Sequence, residues 1–133
     1  MHGSFSRADT WNNMAAIGPD FSLGHFIPRH VDHKPVSNAD LAVTIAHLLG
    51  LNLPREQGMG RVIEESIVHG SRDKAQTFYG IEVSNPGSLG PKTVLVYQSI
   101  GDERYYDKAC FSSDPKLKSQ SKLNHPIRPD PCP

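Results

Sequence analysis

The strongest hydrophobic pattern in the chain is helical and lies in the segment SNADLAVTIAHLLGLNLP. One face of this segment carries four apolar residues at helical spacing, Leu41, Ile45, Leu48 and Leu49. Asn38 or Ser37 can cap its N-terminus, and Asp40 lies in the first turn, where the helix dipole favours a negative charge. Gly50 then ends the run. The pattern predicts a helix over residues 38–49.

After this helix the apolar period changes to two, which is typical of strands. Three segments alternate in this way, TFYGIEV at 77–83, KTVLVYQSI at 92–100 and ERYYDKA at 103–109. Turn-forming residues separate them, NPGS at 85–88 and GD at 101–102. The sequence therefore predicts an antiparallel meander of three strands.

Two shorter elements are predicted upstream of the meander. Residues 13–17, NMAAI, form an apolar run that a Gly-Pro pair stops, as in a strand whose two faces are both buried. The segment GRVIEESIV predicts a short helix from about Arg61 to Val68. A single buried strand has no partner in this chain, so we expect sequence to be missing upstream. We also expect residues 13–17 and the apolar face of the helix to be only partly covered.

The last segment of the chain, SSDPKLKSQSKLNHPIRPDPCP, is rich in proline and lysine and has few large apolar side chains. Such a segment buries too little apolar surface to offset the entropy cost of ordering it. We therefore expect residues 112–133 to be a disordered tail.

Composition narrows the classes of function. The 133 residues include 14 basic and 14 acidic side chains, so no net charge attracts nucleic acid or an anionic membrane. No apolar run reaches the roughly 18 residues of a membrane span, and no basic segment followed by an apolar stretch indicates a signal peptide. The two cysteines, Cys110 and Cys132, are either free thiols or partners in a disulfide worth about 3 kcal/mol.

Four short motifs follow one another in the first fifty-one residues. They are His2-Gly3-Ser4, Gly18-Pro19-Asp20-Phe21, Asn38-Ala39-Asp40 with Thr44, and Leu48-Leu49-Gly50-Leu51. In this order the motifs resemble the C-terminal part of the alkaline phosphatase superfamily, and most closely its type I phosphodiesterase/nucleotide pyrophosphatase-like branch. The segments GRVIEES and RYYDKA are also similar to the end of bacterial members, so the resemblance covers about residues 1–110.

The resemblance implies a fold. The order strand, helix, helix and strands is that of an α/β or α+β protein. The resemblance makes residues 1–111 a partial domain, the C-terminal fragment of an α/β/α sandwich that carries a small antiparallel meander. Residues 112–133 would be the tail.

The resemblance also implies an activity, the metal-dependent hydrolysis of phosphoric esters. In the family two divalent ions, usually zinc, activate a Thr or Ser nucleophile. The His of the C-terminal His-Gly motif is one metal ligand, and it corresponds to His2 here. The nucleophile and the other ligands lie upstream in the family, so the chain contains no catalytic residue and we expect it to be inactive alone. The family suggests a phosphate-ester substrate and a periplasmic or extracellular location.

Two other interpretations remain open. In the first, the chain is a non-catalytic binding module whose contact surfaces are the meander at 77–109 and the proline-rich tail. The second is a fragment of a sulfatase-type hydrolase, because the Asn-x-Asp-x-x-x-Thr helix is shared across the superfamily. For His2 itself, the alternative to a metal ligand is a frayed terminal histidine.

Other residues that could carry chemistry are expected to have structural roles. Asp40 is expected to stabilise the helix dipole, and Thr44 and His47 to pack against their neighbours. A solvated loop is favoured over a metal site for His25, His30, Asp32 and His33. No base partner is evident for Ser4 and Ser6, and turn or surface positions are expected for Asp73, Asp102 and Asp107.

Overall fold

The computed structural model describes residue 10 and residues 14–21, 34–54, 60–71, 76–88 and 90–132. Its elements are helix α1 (Asn38–Leu48), a short 3-10 turn (Glu64–Ser66), and strands β1 (Thr77–Val83), β2 (Lys92–Ile100), β3 (Glu103–Ser112) and β4 (Gln120–Leu123). The chain divides into two compact units, one of residues 14–75 and one of residues 1–13 with 76–133. Within the described residues the fold is mixed α/β, and no helix there is long and apolar enough to cross a membrane.

The predicted helix over 38–49 is confirmed, with its last residue at Leu48. The predicted helix from Arg61 to Val68 is reduced to the 3-10 turn. Ile63, at φ −82° and ψ 68°, is outside the helical region, and two backbone N–H groups of this segment bond to α1. Arg61 donates to an Asp40 carboxylate oxygen and Ile63 donates to the Thr44 hydroxyl.

The prediction of a strand over residues 13–17 is wrong for residues 14–17, the part of the run that the structure describes. Residues 14–17 belong to no strand and are exposed, with Ile17 at 89%. The only described pairing nearby is an isolated antiparallel bridge between Phe21 and Ile67. Two of the four described residues in this run are alanines, which contribute little apolar area to hold an isolated strand in place.

The three strands of the predicted meander are confirmed, and β3 extends to Ser112. β2 pairs antiparallel with both β1 and β3. The complete sheet has the order β3-β2-β1-β4. Ile81 and Val94 are fully buried on one face, together with Cys132 from the C-terminal segment.

A β-bulge interrupts the pairing of β2 with β3. Val96 pairs with Lys108 while Tyr97 pairs with Tyr106, so Asp107 is the extra residue. Asp107 is buried, and its backbone carbonyl accepts a hydrogen bond from the Thr10 hydroxyl. The prediction that Asp107 is a turn or surface residue is therefore wrong, because the bulge turns this position inward.

The disorder expected over residues 112–133 does not hold for residues 112–132. β4 pairs antiparallel with β1, through Tyr79 with Leu123 and Ile81 with Gln120. Leu117, Ile127 and Cys132 pack against the buried face of the sheet. The C-terminal segment thus covers the buried face of the sheet, although its low content of apolar residues did not predict this.

A disulfide and an ion pair hold this segment in place. Cys110 and Cys132 form a disulfide with their Cα atoms 5.6 Å apart, which answers the question that the sequence left open. The buried Lys108 ammonium lies 2.5 Å from an Asp130 carboxylate oxygen and also donates to the Cys132 carbonyl. The Cys132 N–H donates to the other Asp130 oxygen at 2.9 Å. Closing a loop restricts the unfolded chain, which offsets part of the ordering entropy.

Candidate functional site

The predicted metal ligand and the other N-terminal and loop residues considered for chemistry lie outside the described part of the chain. This holds for the predicted ligand His2 and for the other N-terminal and loop candidates, Ser4, Ser6, His25, His30, Asp32, His33 and Asp73. Within the described ranges no group of three or more His, Cys, Asp or Glu side chains could hold a metal ion. Asp102 lies in an exposed turn, as predicted.

The Asp40 carboxylate stabilises the backbone around it by accepting two hydrogen bonds. Its side chain is completely buried, and Oδ2 accepts the backbone N–H of Ser37 at 2.7 Å. Oδ1 accepts the backbone N–H of Arg61 at 2.8 Å. Ser37, not Asn38, is the N-cap residue, and the bond from its N–H to the third helical residue is half of a capping box. Asp40 therefore joins the start of α1 to the segment that follows residue 60.

Thr44, one turn further along α1, also joins the helix to the segment that follows residue 60. Its hydroxyl donates to the Asp40 carbonyl at 2.7 Å and accepts the Ile63 N–H at 3.0 Å. The prediction that Thr44 is packed rather than nucleophilic is confirmed, because the hydroxyl is buried and both of its roles are taken. His47 is exposed, so the prediction that it packs against its neighbours is wrong.

Gly60 allows the backbone to approach α1 closely. Its φ is +85°, a left-handed conformation that favours glycine. A Cβ atom at this position would lie 2.6 Å from both the Ala39 carbonyl carbon and the Asp40 nitrogen. The two hydrogen bonds from the following segment to Asp40 and Thr44 depend on this contact.

Arg61 also forms an ion pair within the same unit. Its Nη1 lies 2.8 Å and its Nη2 2.5 Å from the two carboxylate oxygens of Glu65, a bidentate arrangement. Burial raises the pKa of Glu65, but the Arg61 hydrogen bond, a backbone hydrogen bond and the Arg61 charge together hold it below its ordinary value. Glu65 therefore serves as a permanent anion that fixes Arg61, and it is not a proton donor near neutral pH.

The apolar face of α1 is only partly covered, as expected from the sequence. Leu41 is 38% exposed, Ile45 44% and Leu49 66%. The buried side chains of the helix are Asp40, Thr44 and Ala46. The polar side of α1 therefore packs within its own unit, and its leucine-rich side faces outward.

The sheet unit contains a cleft of about 520 Å³ that is open to solvent. The residues after β1 form one wall, and the start of the C-terminal segment forms the other. Its lining is Val83, Ser84, Asn85, Pro86, Gly90, Lys92, Ser112, Ser113, Pro115, Leu117, Lys118 and Ser119. The cleft lies between the meander and the proline-rich segment.

The cleft is electropositive. Among the residues that the structure describes, two lysines and no acidic residue line it. The Lys92 ammonium donates to the carbonyls of Pro115 and Leu117 at 3.2 and 3.1 Å, which leaves its third N–H available. The Lys118 side chain makes no hydrogen bond or ion pair with the described residues. This arrangement can bind an anion, and the described lining includes no histidine or carboxylate that could act as a general base.

Comparison of the chain with protein-family models, with curated proteins and with solved structures found no match. The relationship to the alkaline phosphatase superfamily therefore stays a prediction from the sequence motifs. Function has to be argued from the residues and their contacts.

The cleft was missed from sequence because half of its lining comes from the segment expected to be disordered. The signal that could have found it is the cysteine pair. A disulfide between Cys110 and Cys132 returns the C-terminal segment to β3 and brings its serines and lysines to the sheet.

Proposed function

We propose that this chain forms the C-terminal part of a metal-dependent phosphoric ester hydrolase of the alkaline phosphatase type, a phosphodiesterase or phosphatase. In this proposal the chain is inactive alone and contributes the structural end of the fold with one metal ligand, His2. The observation that carries the proposal is the order and spacing of the four motifs between His2 and Leu51.

The exposed apolar face of α1 supports the proposal. Helices of an α/β/α sandwich bury such a face against the central sheet. In the described unit Leu41, Ile45 and Leu49 keep between 38% and 66% of their surface exposed. A larger sandwich would cover these three side chains, while the Asp40 and Thr44 hydrogen bonds would hold the polar side of the helix as they do here.

The role of the metal ions limits what this chain can do. When bound, two zinc ions lower the pKa of the nucleophile and stabilise the charge that develops on the phosphoryl group. The described residues contain no donor set for zinc. His2 would supply a neutral imidazole nitrogen, and a catalytic zinc needs about three protein ligands.

The test of this proposal is the zinc-dependent hydrolysis of p-nitrophenyl phosphate and bis(p-nitrophenyl) phosphate, with and without a chelator. We expect the 133-residue chain to show only background turnover. Joined to the segment encoded upstream of it, the chain should gain zinc-dependent turnover. His2→Ala should then lower the turnover at least about tenfold, because one metal loses a ligand.

His69→Ala is the matched control, because His69 is an exposed histidine of the same chain. This variant should keep the turnover of the unchanged protein. Zinc-dependent and His2-dependent turnover by the 133-residue chain alone would contradict the proposal, and so would full activity of His2→Ala in the longer chain.

A further inference from the structure

We propose that the cleft beside the β1–β2 turn binds a small organic molecule that carries a tetrahedral oxyanion, a phosphate or sulfate group. This inference goes beyond the proposed hydrolase function and does not depend on it. It concerns the sheet unit alone, and the described residues that line the cleft lie between Val83 and Ser119.

The size of the cleft indicates an organic molecule and not a free ion. Small-molecule sites typically have volumes of about 300–1,000 Å³, and this cleft has about 520 Å³. A single phosphate or sulfate ion would fill only a small part of that space. The side chains of Val83, Pro86, Pro115 and Leu117 supply apolar surface for the remainder of a ligand.

The charge of the cleft determines the polar group of the ligand. Lys92 and Lys118 both line the cleft, and its described lining residues include no carboxylate that would neutralise them. Asp114 lies in the same loop, where its Oδ1 accepts the Lys116 N–H at 2.8 Å and the residue is not part of the lining. Charge-assisted hydrogen bonds to an anion are roughly twice as strong as neutral ones.

Three serine hydroxyls add neutral donors. The Ser119 hydroxyl accepts the Val83 N–H at 2.9 Å and the Ser112 hydroxyl accepts the Asp114 N–H at 3.2 Å. Neither hydroxyl proton has an acceptor among the described contacts, and Ser113 has no side-chain hydrogen bond there. These hydroxyl donors and the two ammonium groups suit the three oxygens of a phosphate or sulfate ester better than the two oxygens of a carboxylate.

The disulfide and the pairing of β4 with β1 keep the two walls of the cleft in place. Cys110 and Cys132 close the chain around the segment that carries the second wall, and β4 begins directly after Ser119. The Lys92 ammonium bridges to the opposite wall through the carbonyls of Pro115 and Leu117. Such preorganisation lowers the ordering cost of binding.

The test is an NMR titration of the ¹⁵N-labelled 133-residue chain at constant ionic strength, with a chelator present. The probes are phenylphosphonate, inorganic phosphate, sulfate and acetate. We expect saturable shifts of the Ser84, Gly90, Ser113 and Ser119 amides with phenylphosphonate, which has both the apolar and the anionic part. Inorganic phosphate and sulfate should shift the same amides with roughly fivefold weaker affinity, because they do not contact the apolar lining.

Lys118→Ala should weaken phenylphosphonate binding roughly fivefold to tenfold, because it removes a charged donor that has no partner among the described residues. Lys116→Ala is the matched control. It lies in the same loop, changes the net charge equally and is absent from the cleft lining, so its effect should stay below about twofold. Ser113→Ala changes no charge and should weaken binding roughly twofold to threefold.

Three results would overturn the inference. They are the absence of saturable shifts at these amides, equal effects of Lys118→Ala and Lys116→Ala, and acetate binding as tight as that of phosphate. Phenylphosphonate has no ester bond to hydrolyse and the chelator removes zinc. A failed hydrolase assay therefore does not affect this outcome, and a failed titration does not affect the hydrolase proposal.

Discussion

Replacing Cys132 with serine is expected to lower the free energy of unfolding of the sheet unit by about 3 kcal/mol. The disulfide to Cys110 spans 22 residues and closes the chain over the buried face of the sheet. Its loss lets the unfolded chain adopt many more conformations. It also loosens the packing of buried residue 132 beside Ile81 and Val94. The measurement is urea unfolding of the two proteins, followed by the tyrosine fluorescence of the sheet.

The double variant Cys110→Ser/Cys132→Ser is the control for this prediction. It should be as unstable as the single variant, because either change removes the same bond. Addition of a reductant should destabilise the unchanged protein and leave both variants unaffected. A loss smaller than about 0.5 kcal/mol in Cys132→Ser would show that the C-terminal segment does not depend on the disulfide.

Asp40→Ala should destabilise the helical unit by about 2–4 kcal/mol. The change removes the acceptor for the Ser37 N–H and for the Arg61 N–H, both of which then lose their partner. A lost helix cap costs roughly 1 kcal/mol, and an unsatisfied buried donor roughly 1–3 kcal/mol. Because the loss lies in one unit, the readout is amide hydrogen exchange of α1, measured residue by residue.

Asn38→Ala is the matched control for Asp40→Ala. Asn38 is exposed, lies in the same turn and was the alternative cap residue from sequence. Its replacement should change the protection of α1 by less than about 0.5 kcal/mol. Equal loss of protection in the two variants would contradict the structural role of Asp40, and unchanged protection in Asp40→Ala would do so as well.

Strand positions could be predicted because their pattern is local. β1, β2 and β3 alternate at a period of two and turn residues separate them, so their positions and antiparallel pairing followed from sequence, except for the last three residues of β3. The bulge at Asp107 could not be predicted in this way. It depends on how β3 is paired, and an alternating pattern does not show where a strand gains one extra residue.

The C-terminal segment and the cleft could not be predicted because both depend on contacts distant in sequence. Composition indicated disorder over 112–133 because it does not reveal the disulfide. The disulfide offsets part of the entropy cost of ordering the segment. The pairing of Cys110 with Cys132 and the burial of Lys108 against Asp130 hold the segment in place. Local patterns likewise misplaced His47, because helical spacing does not show which face is covered.

The most direct measurement of the central claim is the zinc content of the protein that includes the upstream segment, compared with that of its His2→Ala variant. The account predicts about two zinc ions per chain in the unchanged protein and about one in the variant, because the proposed function makes His2 a ligand of one of two ions. An equal zinc content in the two proteins, or no zinc in either, would contradict the account.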